Sequence, residues 1–282
     1  MKSDMVNLRL YNGVEIPRIG LGTWQSRGTE AAAAVSTGLQ AGYRLIDTAA
    51  AYGNEAGVGE GIRQSGVPRQ DVFLTSKLRN ASHGYQATLD AFEASIQKLG
   101  VTYLDLYLIH WPNPIQYRTT WREAMIGTWK AFEKLYQDGR IRAIGVSNFL
   151  PHHMEILRQE CEIVPMVNQL RLCPGITQPE VVDYCMQHNI VVEAYSPFGT
   201  GMIFKVPQMQ VIARKYQKSV GQVVLRWCLQ MGWVPLPKSA NPNRIRENLD
   251  VFDFELDELD LQKIANLKDV CGTAPVPDEI RF

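Results

Sequence analysis

The stretch Asp71-Val-Phe-Leu-Thr-Ser-Lys77, followed by Tyr85-Gln-Ala-Thr-Leu-Asp-Ala-Phe-Glu-Ala-Ser-Ile-Gln-Lys-Leu99 and then Leu104-Asp-Leu-Tyr-Leu-Ile-His110, decides the fold. The outer two runs are dominated by apolar residues instead of alternating strictly, the pattern of strands buried on both faces in a parallel sheet. The middle run places Leu89, Phe92, Ile96 and Leu99 at three- and four-residue spacing, one apolar stripe of a helix. Strand, helix and strand in this order make a βαβ unit, because parallel neighbours need a long crossover.

Working outward, similar short apolar runs recur at Ile19–Thr23, Arg44–Thr48, Ile141–Asn148, Met166–Leu170, Ile190–Ser196 and Val234–Ser239, with Val72–Lys77 and Leu104–His110 completing the set. An amphipathic segment follows almost every one. The length of 282 residues allows two small domains or one α/β barrel. Alternating strands and helices with no Pro/Gly/Ser-rich linker favour one unit over residues 1–282, a (β/α)8 TIM barrel of the α/β class. Two segments fall outside the repeat. Leu8-Arg9-Leu10 and Glu15-Ile16-Pro17 flank Tyr11-Asn12-Gly13, a β-hairpin signal that places a cap on the barrel floor. After the last strand, Asn243–Leu249 and Asp257–Leu267 read as two extra helices, and the tail with Pro275 and Pro277 as irregular.

Twenty-nine basic and 29 acidic residues cancel, so no global field draws the chain to nucleic acid or an anionic membrane. The cysteines Cys161, Cys173, Cys185, Cys228 and Cys271 form no C-x-x-C pair, which fits reduced thiols and argues against zinc. Asp4 and Asn7 interrupt the place where a signal peptide needs an apolar run, and no run of transmembrane length occurs. The expectation is a cytoplasmic, non-membrane protein.

In a parallel barrel, chemistry sits at the C-terminal strand ends. Those ends supply Asp47, Lys77, His110, Ser147-Asn148, Asn168-Gln169, Tyr195-Ser196 and Lys238-Ser239. Singly, each has a plainer reading: Lys77 as a solvated lysine, Asp47 as a helix cap, His110 as a strand end, Tyr195 as core. A polar group at nearly every strand end around one mouth is a functional pattern. No metal site is expected, since His152 and His153 are adjacent and neither H-x-H nor H-E-x-x-H is present. No G-x-G-x-x-G follows a strand; Gly57-Val-Gly59-Glu-Gly61 comes nearest, within a predicted helix.

Asp47-Thr-Ala-Ala-Ala-Tyr52-Gly-Asn-Glu55, Leu74-Thr-Ser-Lys77, Leu108-Ile-His110-Trp111-Pro112, Gly145-Val-Ser-Asn148-Phe149 and Pro237-Lys238-Ser239, together, resemble the aldo-keto reductases. The likeness runs from Gly20-Leu-Gly-Thr-Trp24 to Arg244-Ile-Arg-Glu-Asn248. It is strongest to the prokaryotic-type members that include the 2,5-diketo-gluconate reductases.

The resemblance implies NADPH-dependent reduction of an aldehyde or ketone to an alcohol. It assigns Tyr52 as proton donor, Lys77 as the cation that lowers the tyrosine pKa, Asp47 as the partner holding Lys77, and His110 as the group orienting the carbonyl. By the same resemblance Ser147, Asn148 and Gln169 hold the nicotinamide carboxamide, Tyr195 stacks on its ring, and Ser196 lies beside them. Lys238, Ser239 and Arg244 match contacts to a 2′-phosphate, with Glu247 and Asn248 near the adenine, which favours NADPH over NADH while leaving NADH possible. Cations, a hydroxyl and a helix start also suit a phosphate on chemical grounds.

Trp24 and Trp111 match aromatic positions of the substrate pocket, with the loops of Asn80, Ile115 and Tyr117 and the tail near Phe282 as further walls. The chain departs from the family at Arg171 and Cys173, where many members carry an acidic residue and a histidine. The expected partner is a small carbonyl compound, with the protein a monomer or weak homo-oligomer. The competing reading is a cofactor-binding sensor or regulatory protein that hardly turns over, against which the intact set of Asp47, Tyr52, Lys77 and His110 argues.

Overall fold

The computed structural model of the chain describes residues 7–282, so Asp4 lies outside the described residues. Eight parallel strands lie in sequential order: β3 (Gly20–Gly22), β4 (Leu45–Asp47), β5 (Phe73–Leu78), β6 (Leu104–Ile109), β7 (Ile141–Ser147), β8 (Val167–Arg171), β9 (Val191–Tyr195) and β10 (Val234–Leu236). Six fall within runs read from the sequence, and β5 and β8 run one residue past theirs, to Leu78 and Arg171. A bridge pairs Gly22 with Lys238, and Gly22 N–H donates to the Pro237 carbonyl at 2.9 Å, which draws the last strand against the first. Gly20 permits this seam: a Cβ there would stand 2.6 Å from Leu236 and Leu45 side-chain atoms.

The strands β5 and β6 are buried along their whole length, as residues with helices outside and a filled barrel inside must be. The outer layer consists of α1 (Gly28–Ala41), α2 (Glu55–Ser65), α3 (Tyr85–Leu99), α4 (Trp121–Gln137), α5 (Pro151–Glu160), α6 (Pro179–Gln187), α7 (Pro207–Tyr216), α8 (Val220–Gln230) and α9 (Pro242–Leu249). α3 has the bounds its apolar spacing predicts. Between β9 and β10 the chain forms two helices instead of one. From Val220 to Leu229 every residue of α8 is buried, including Arg226, so that helix carries no polar face to mark its period.

The glycine run in α2 has a packing role. A Cβ on Gly57 or Gly61 would meet the carbonyl of Gly28 or Ala32 in α1 at 2.5 Å, and one on Gly59 would meet the Leu99 carbonyl at 2.0 Å. These residues let α2 press against α1 and the end of α3.

The hairpin of β1 (Leu8–Arg9) and β2 (Glu15–Ile16) closes the barrel floor. Its Leu10 and Ile16 are buried, Asn12 Nδ2 donates to the Arg142 carbonyl at 3.0 Å, and Tyr11 Oη donates to the Val164 carbonyl at 2.7 Å. Arg142 stands at the N-terminal end of β7 and Val164 in the loop leading into β8, opposite the predicted mouth. α9 and α10 (Glu258–Ala265) follow β10 as the two predicted extra helices. Among the described residues no helix is long and apolar enough to cross a membrane.

Candidate active site

At the C-terminal end of the barrel a cavity of about 590 Å³ is lined by Trp24, Asp47, Tyr52, His110, Trp111, Ser147, Asn148, Gln169, Arg171, Tyr195, Ser196, Lys238 and Phe282, among others. Strand ends separated by up to the length of the barrel sequence thus converge on one mouth.

Asp47 ends β4 and Lys77 lies in β5, and their neighbouring strands bring the side chains together. Lys77 is fully buried; its Nζ stands 2.8 and 2.7 Å from the two Asp47 oxygens, 2.9 Å from the Thr48 carbonyl and 3.4 Å from Tyr52 Oη. An ammonium has three protons: one goes to the carboxylate, one to the carbonyl, and the third is left for the phenol. Burial pulls the Lys77 pKa down, but Asp47 beside it, together with Tyr52 and Glu193, more than offsets that, so the net direction is up and Lys77 is charged.

Tyr52 sits in the loop after β4 because a short 3-10 turn, Ala50–Tyr52, reverses the chain and Gly53 ends it with φ of 69°. That left-handed backbone favours glycine. Asn54 fixes the loop, donating to the Thr23 and Ser26 carbonyls at 2.8 Å and accepting from Thr48 Oγ1 at 2.9 Å. Because Lys77 donates to Tyr52 Oη, the phenol's own proton is free to point elsewhere. The sequence expectation of a lowered tyrosine pKa needs correction here. Burial raises it first and most, Lys77 lowers it, and the net direction is above 10.0. Lys77 therefore limits a rise instead of producing a net fall.

His110 faces Tyr52 edge-on, with ring centroids 5.8 Å apart. Burial and the Lys77 charge push its pKa down to about 3, so the ring is neutral and carries one N–H across the physiological range. Asn148 Nδ2 holds the His110 carbonyl at 3.1 Å.

The predicted carboxamide residues also meet. Tyr195 Oη donates to Asn148 Oδ1 at 2.9 Å, Asn148 Nδ2 donates to Ser147 Oγ at 3.0 Å, and Ser147 Oγ donates to the Gln169 carbonyl at 2.9 Å. Gln169 Nε2 uses both protons inward, on Asp47 Oδ1 at 2.9 Å and Glu193 Oε2 at 2.8 Å. Its Oε1 is the polar atom left to the cavity. That acceptor and the remaining lone pair of Asn148 Oδ1 suit the N–H₂ of an amide.

Further along the mouth, Lys238 is partly exposed, Ser239 is buried, and Arg244 and Glu247 are exposed on α9 while Asn248 is buried. Asn241 Oδ1 already accepts from the N–H groups of Asn243 and Arg244. An anion here would therefore meet mainly the side chains of Lys238, Ser239 and Arg244, not free amides at that helix start.

The substrate side is apolar. Trp24 is exposed at the rim, and Trp111 packs edge-on to Phe282 at 5.4 Å. Asn80, Ile115 and Tyr117 do not line the cavity. Asn80 Nδ2 instead donates to the Phe282 carbonyl at 3.3 Å, and Tyr117 stacks on His83. Arg171 does line it, while its guanidinium holds the tail through the Thr273 and Cys271 carbonyls at 2.9 and 3.0 Å. The Cys173 thiol is buried, and its pKa is driven up by Cys271 beside it and by burial, which makes it inert.

His152, His153 and Asp278 lie with ligand-type atoms within 4.8 Å of one another. His153 Nδ1 accepts the Leu150 N–H at 3.1 Å, so its proton sits on Nε2, 2.9 Å from Asp278 Oδ1. That nitrogen has no lone pair for a cation; with Asn113 donating to the same oxygen at 3.1 Å, the group tethers the tail.

Glu193, absent from the sequence reading, is fully buried in β9 beside this network. Its signal was present: an acidic residue inside Ile190-Val-Val-Glu-Ala-Tyr-Ser196, a strand whose pattern demands burial.

Comparison with known proteins decides the family. The aldo/keto reductase family model matches residues 18–269. The chain belongs to the aldo/keto reductase family. It is 50% identical to the glyoxal reductase of Bacillus subtilis (strain 168) over 276 residues, covering 98% of this chain and 97% of that one. Among solved structures, an aldo-keto reductase from a Medee basin deep-sea metagenome library matches with a TM-score of 0.92 at 40% identity, covering 98% of this chain and 100% of the other. A Bombyx mori aldo-keto reductase in complex with NADP matches with a TM-score of 0.85 at 36% identity, covering 92% and 91%. This aldo/keto reductase is thus an oxidoreductase by family, and these relatives do not single out the 2,5-diketo-gluconate branch.

Proposed function

We propose that this aldo/keto reductase reduces small aldehydes and ketones to alcohols with NADPH, through Tyr52, Lys77, Asp47 and His110, as one barrel unit spanning residues 1–282. The observation that carries the reading is the buried Lys77 ammonium, anchored on Asp47 at 2.7 Å and donating its remaining proton to Tyr52 Oη.

When bound, NADPH would supply the hydride. Ser147, Asn148, Gln169, Tyr195 and Ser196 would hold its nicotinamide end, and Lys238, Ser239, Arg244, Glu247 and Asn248 its adenosine phosphate end. As negative charge grows on the carbonyl oxygen, Tyr52 Oη–H gives its proton to that oxygen. The phenolate left behind stands against Lys77, whose ammonium stabilises it in a site where burial otherwise opposes charge. Neutral His110 donates its one N–H to the same oxygen and fixes the carbonyl beside Tyr52. Trp24, Trp111 and Phe282 exclude water and accept an apolar or small dicarbonyl body, in keeping with the glyoxal-reducing relative.

The test is an NADPH-oxidation screen over aldehydes, α-keto esters, diketones and keto-sugars. Turnover of at least one class is expected. Saturable cofactor binding without turnover on any class would favour the sensor reading instead.

A further inference from the structure

Glu193 is linked to the catalytic carboxylate Asp47 through the side chain of Gln169, and the proposed chemistry does not use it. It pairs with Gln169 across β8 and β9, and its side chain enters the barrel interior on the same face as Gln169, Arg171 and Tyr195. It is fully buried. Its single partner is Gln169 Nε2 at 2.8 Å on Oε2, and Oε1 has none. The same Gln169 nitrogen holds Asp47 Oδ1 at 2.9 Å, so one amide bridges two carboxyl groups. Among the described residues no cation contacts Glu193. Lys77, whose charge acts on it, is occupied by Asp47, Thr48 and Tyr52, and the register partner of Glu193 on β10 is the apolar Val234.

A carboxylate with one hydrogen bond, no cation and a carboxylate neighbour is disfavoured in a dry interior; the neutral acid is not. Burial first, and the Asp47 charge second, push its pKa up to about 8, with Gln169 and Lys77 pulling the other way.

The geometry points to Glu193 as a positioning residue that must remain protonated for Tyr52 to act, so that its ionisation sets the alkaline limit of carbonyl reduction. This inference rests on the proposed role of Tyr52. With Glu193 neutral, Lys77 and Asp47 balance and the cluster has no net charge. When Glu193 releases its proton to solvent, a second buried negative charge stands beside Asp47. It opposes formation of phenolate at Tyr52 and repels Asp47 from the Gln169 bridge. The Glu193 charge also acts on Lys77, the cation that holds the phenolate, and a coupling of one pKa unit passed through that cation is a change of about tenfold. Tyr52 cannot produce the same limb itself, because its own pKa lies above 10.0.

The test compares kcat against pH for the wild type and Glu193→Gln, which mimics the neutral acid. The wild-type kcat is expected to fall about tenfold through a transition near pH 8, while Glu193→Gln varies less than about twofold up to pH 9. Superimposable profiles would overturn the inference. A second readout needs neither activity nor a variant: in protein carrying 13C at glutamate carboxyls, one resonance should titrate near pH 8, far above the ordinary range near 4.3. If every glutamate titrates below pH 6, the inference fails. Tyr52→Phe in the same assay separates the two claims: activity retained there removes the Tyr52 reading, whereas an inactive Tyr52→Phe with unchanged Glu193→Gln profiles removes only this one.

Discussion

Asp47→Asn removes the one carboxylate among the described residues that touches the buried Lys77 ammonium, and the structure gives the size and pH dependence of the result. Lys77 Nζ would keep the Thr48 carbonyl at 2.9 Å and Tyr52 Oη at 3.4 Å but lose both short contacts to Asp47. Breaking a buried pair on one side costs about 3–5 kcal/mol. At about 2–4 °C per kcal/mol for a chain of this size, the melting temperature should fall by roughly 10 °C near pH 6.5. The sign with pH follows from Lys77. In the wild type its folded pKa is raised, so its contribution is fully present below the unfolded value near 10.4 and is lost only above the folded one. In Asp47→Asn the folded pKa drops below the unfolded one, the unfolded chain binds the extra proton, and stability rises with pH. Without the Asp47 charge Glu193 also ionises at lower pH, which acts in the same direction. Urea unfolding followed by tryptophan fluorescence at pH 6.5 and 9.5 should therefore show a stability gap that narrows at the higher pH. A gap of equal size at both, or one under about 1 kcal/mol at pH 6.5, would refute the reasoning.

Three other outcomes are expected. Thermal melts of the wild type should peak near pH 6.5. Below it stability falls, because His83, His110 and His153, lowered by burial to about 4, 3 and 4, stay neutral in the fold while the unfolded chain takes up protons. Above it stability falls again as pH rises through the Glu193 value of about 8; a monotonic profile from pH 4.5 to 9 would contradict this. Gly59→Ala, which in an open helix would gain up to about 1 kcal/mol, should instead destabilise by about 1–3 kcal/mol, since the new Cβ meets the Leu99 carbonyl at 2.0 Å; chemical denaturation decides the sign. Arg244→Ala should weaken NADPH binding about tenfold in a fluorescence titration and leave NADH binding nearly unaltered, and equal effects on both would remove the 2′-phosphate assignment.

The barrel was legible because its strands must be apolar on both faces and its helices on one, so the two periods separate cleanly, as in Val72–Lys77 and Tyr85–Leu99. α8 escaped that logic because it is buried on every side from Val220 to Leu229. The strand-end rule found Asp47, Lys77 and His110, but not Glu193, which lies two residues before the end of β9. Phe282 in the tail was legible as a pocket wall, but how the tail is held was not. It is held by contacts spanning 202 residues, from Asn80 to Phe282, and by backbone carbonyls such as those of Cys271 and Thr273, which leave no mark in side-chain identity. The sign of the Tyr52 shift was likewise hidden, because burial competes with Lys77 and only the folded arrangement shows which is larger.

The most direct test of the account is single-turnover mixing of NADPH-loaded wild type and Tyr52→Phe with a reactive aldehyde, followed by loss of nicotinamide absorbance. General-acid catalysis of this kind contributes about 10²–10⁴-fold. The account predicts that Tyr52→Phe binds NADPH nearly as tightly as the wild type and oxidises it at least about a hundredfold more slowly. Oxidation at the wild-type rate by Tyr52→Phe would contradict it.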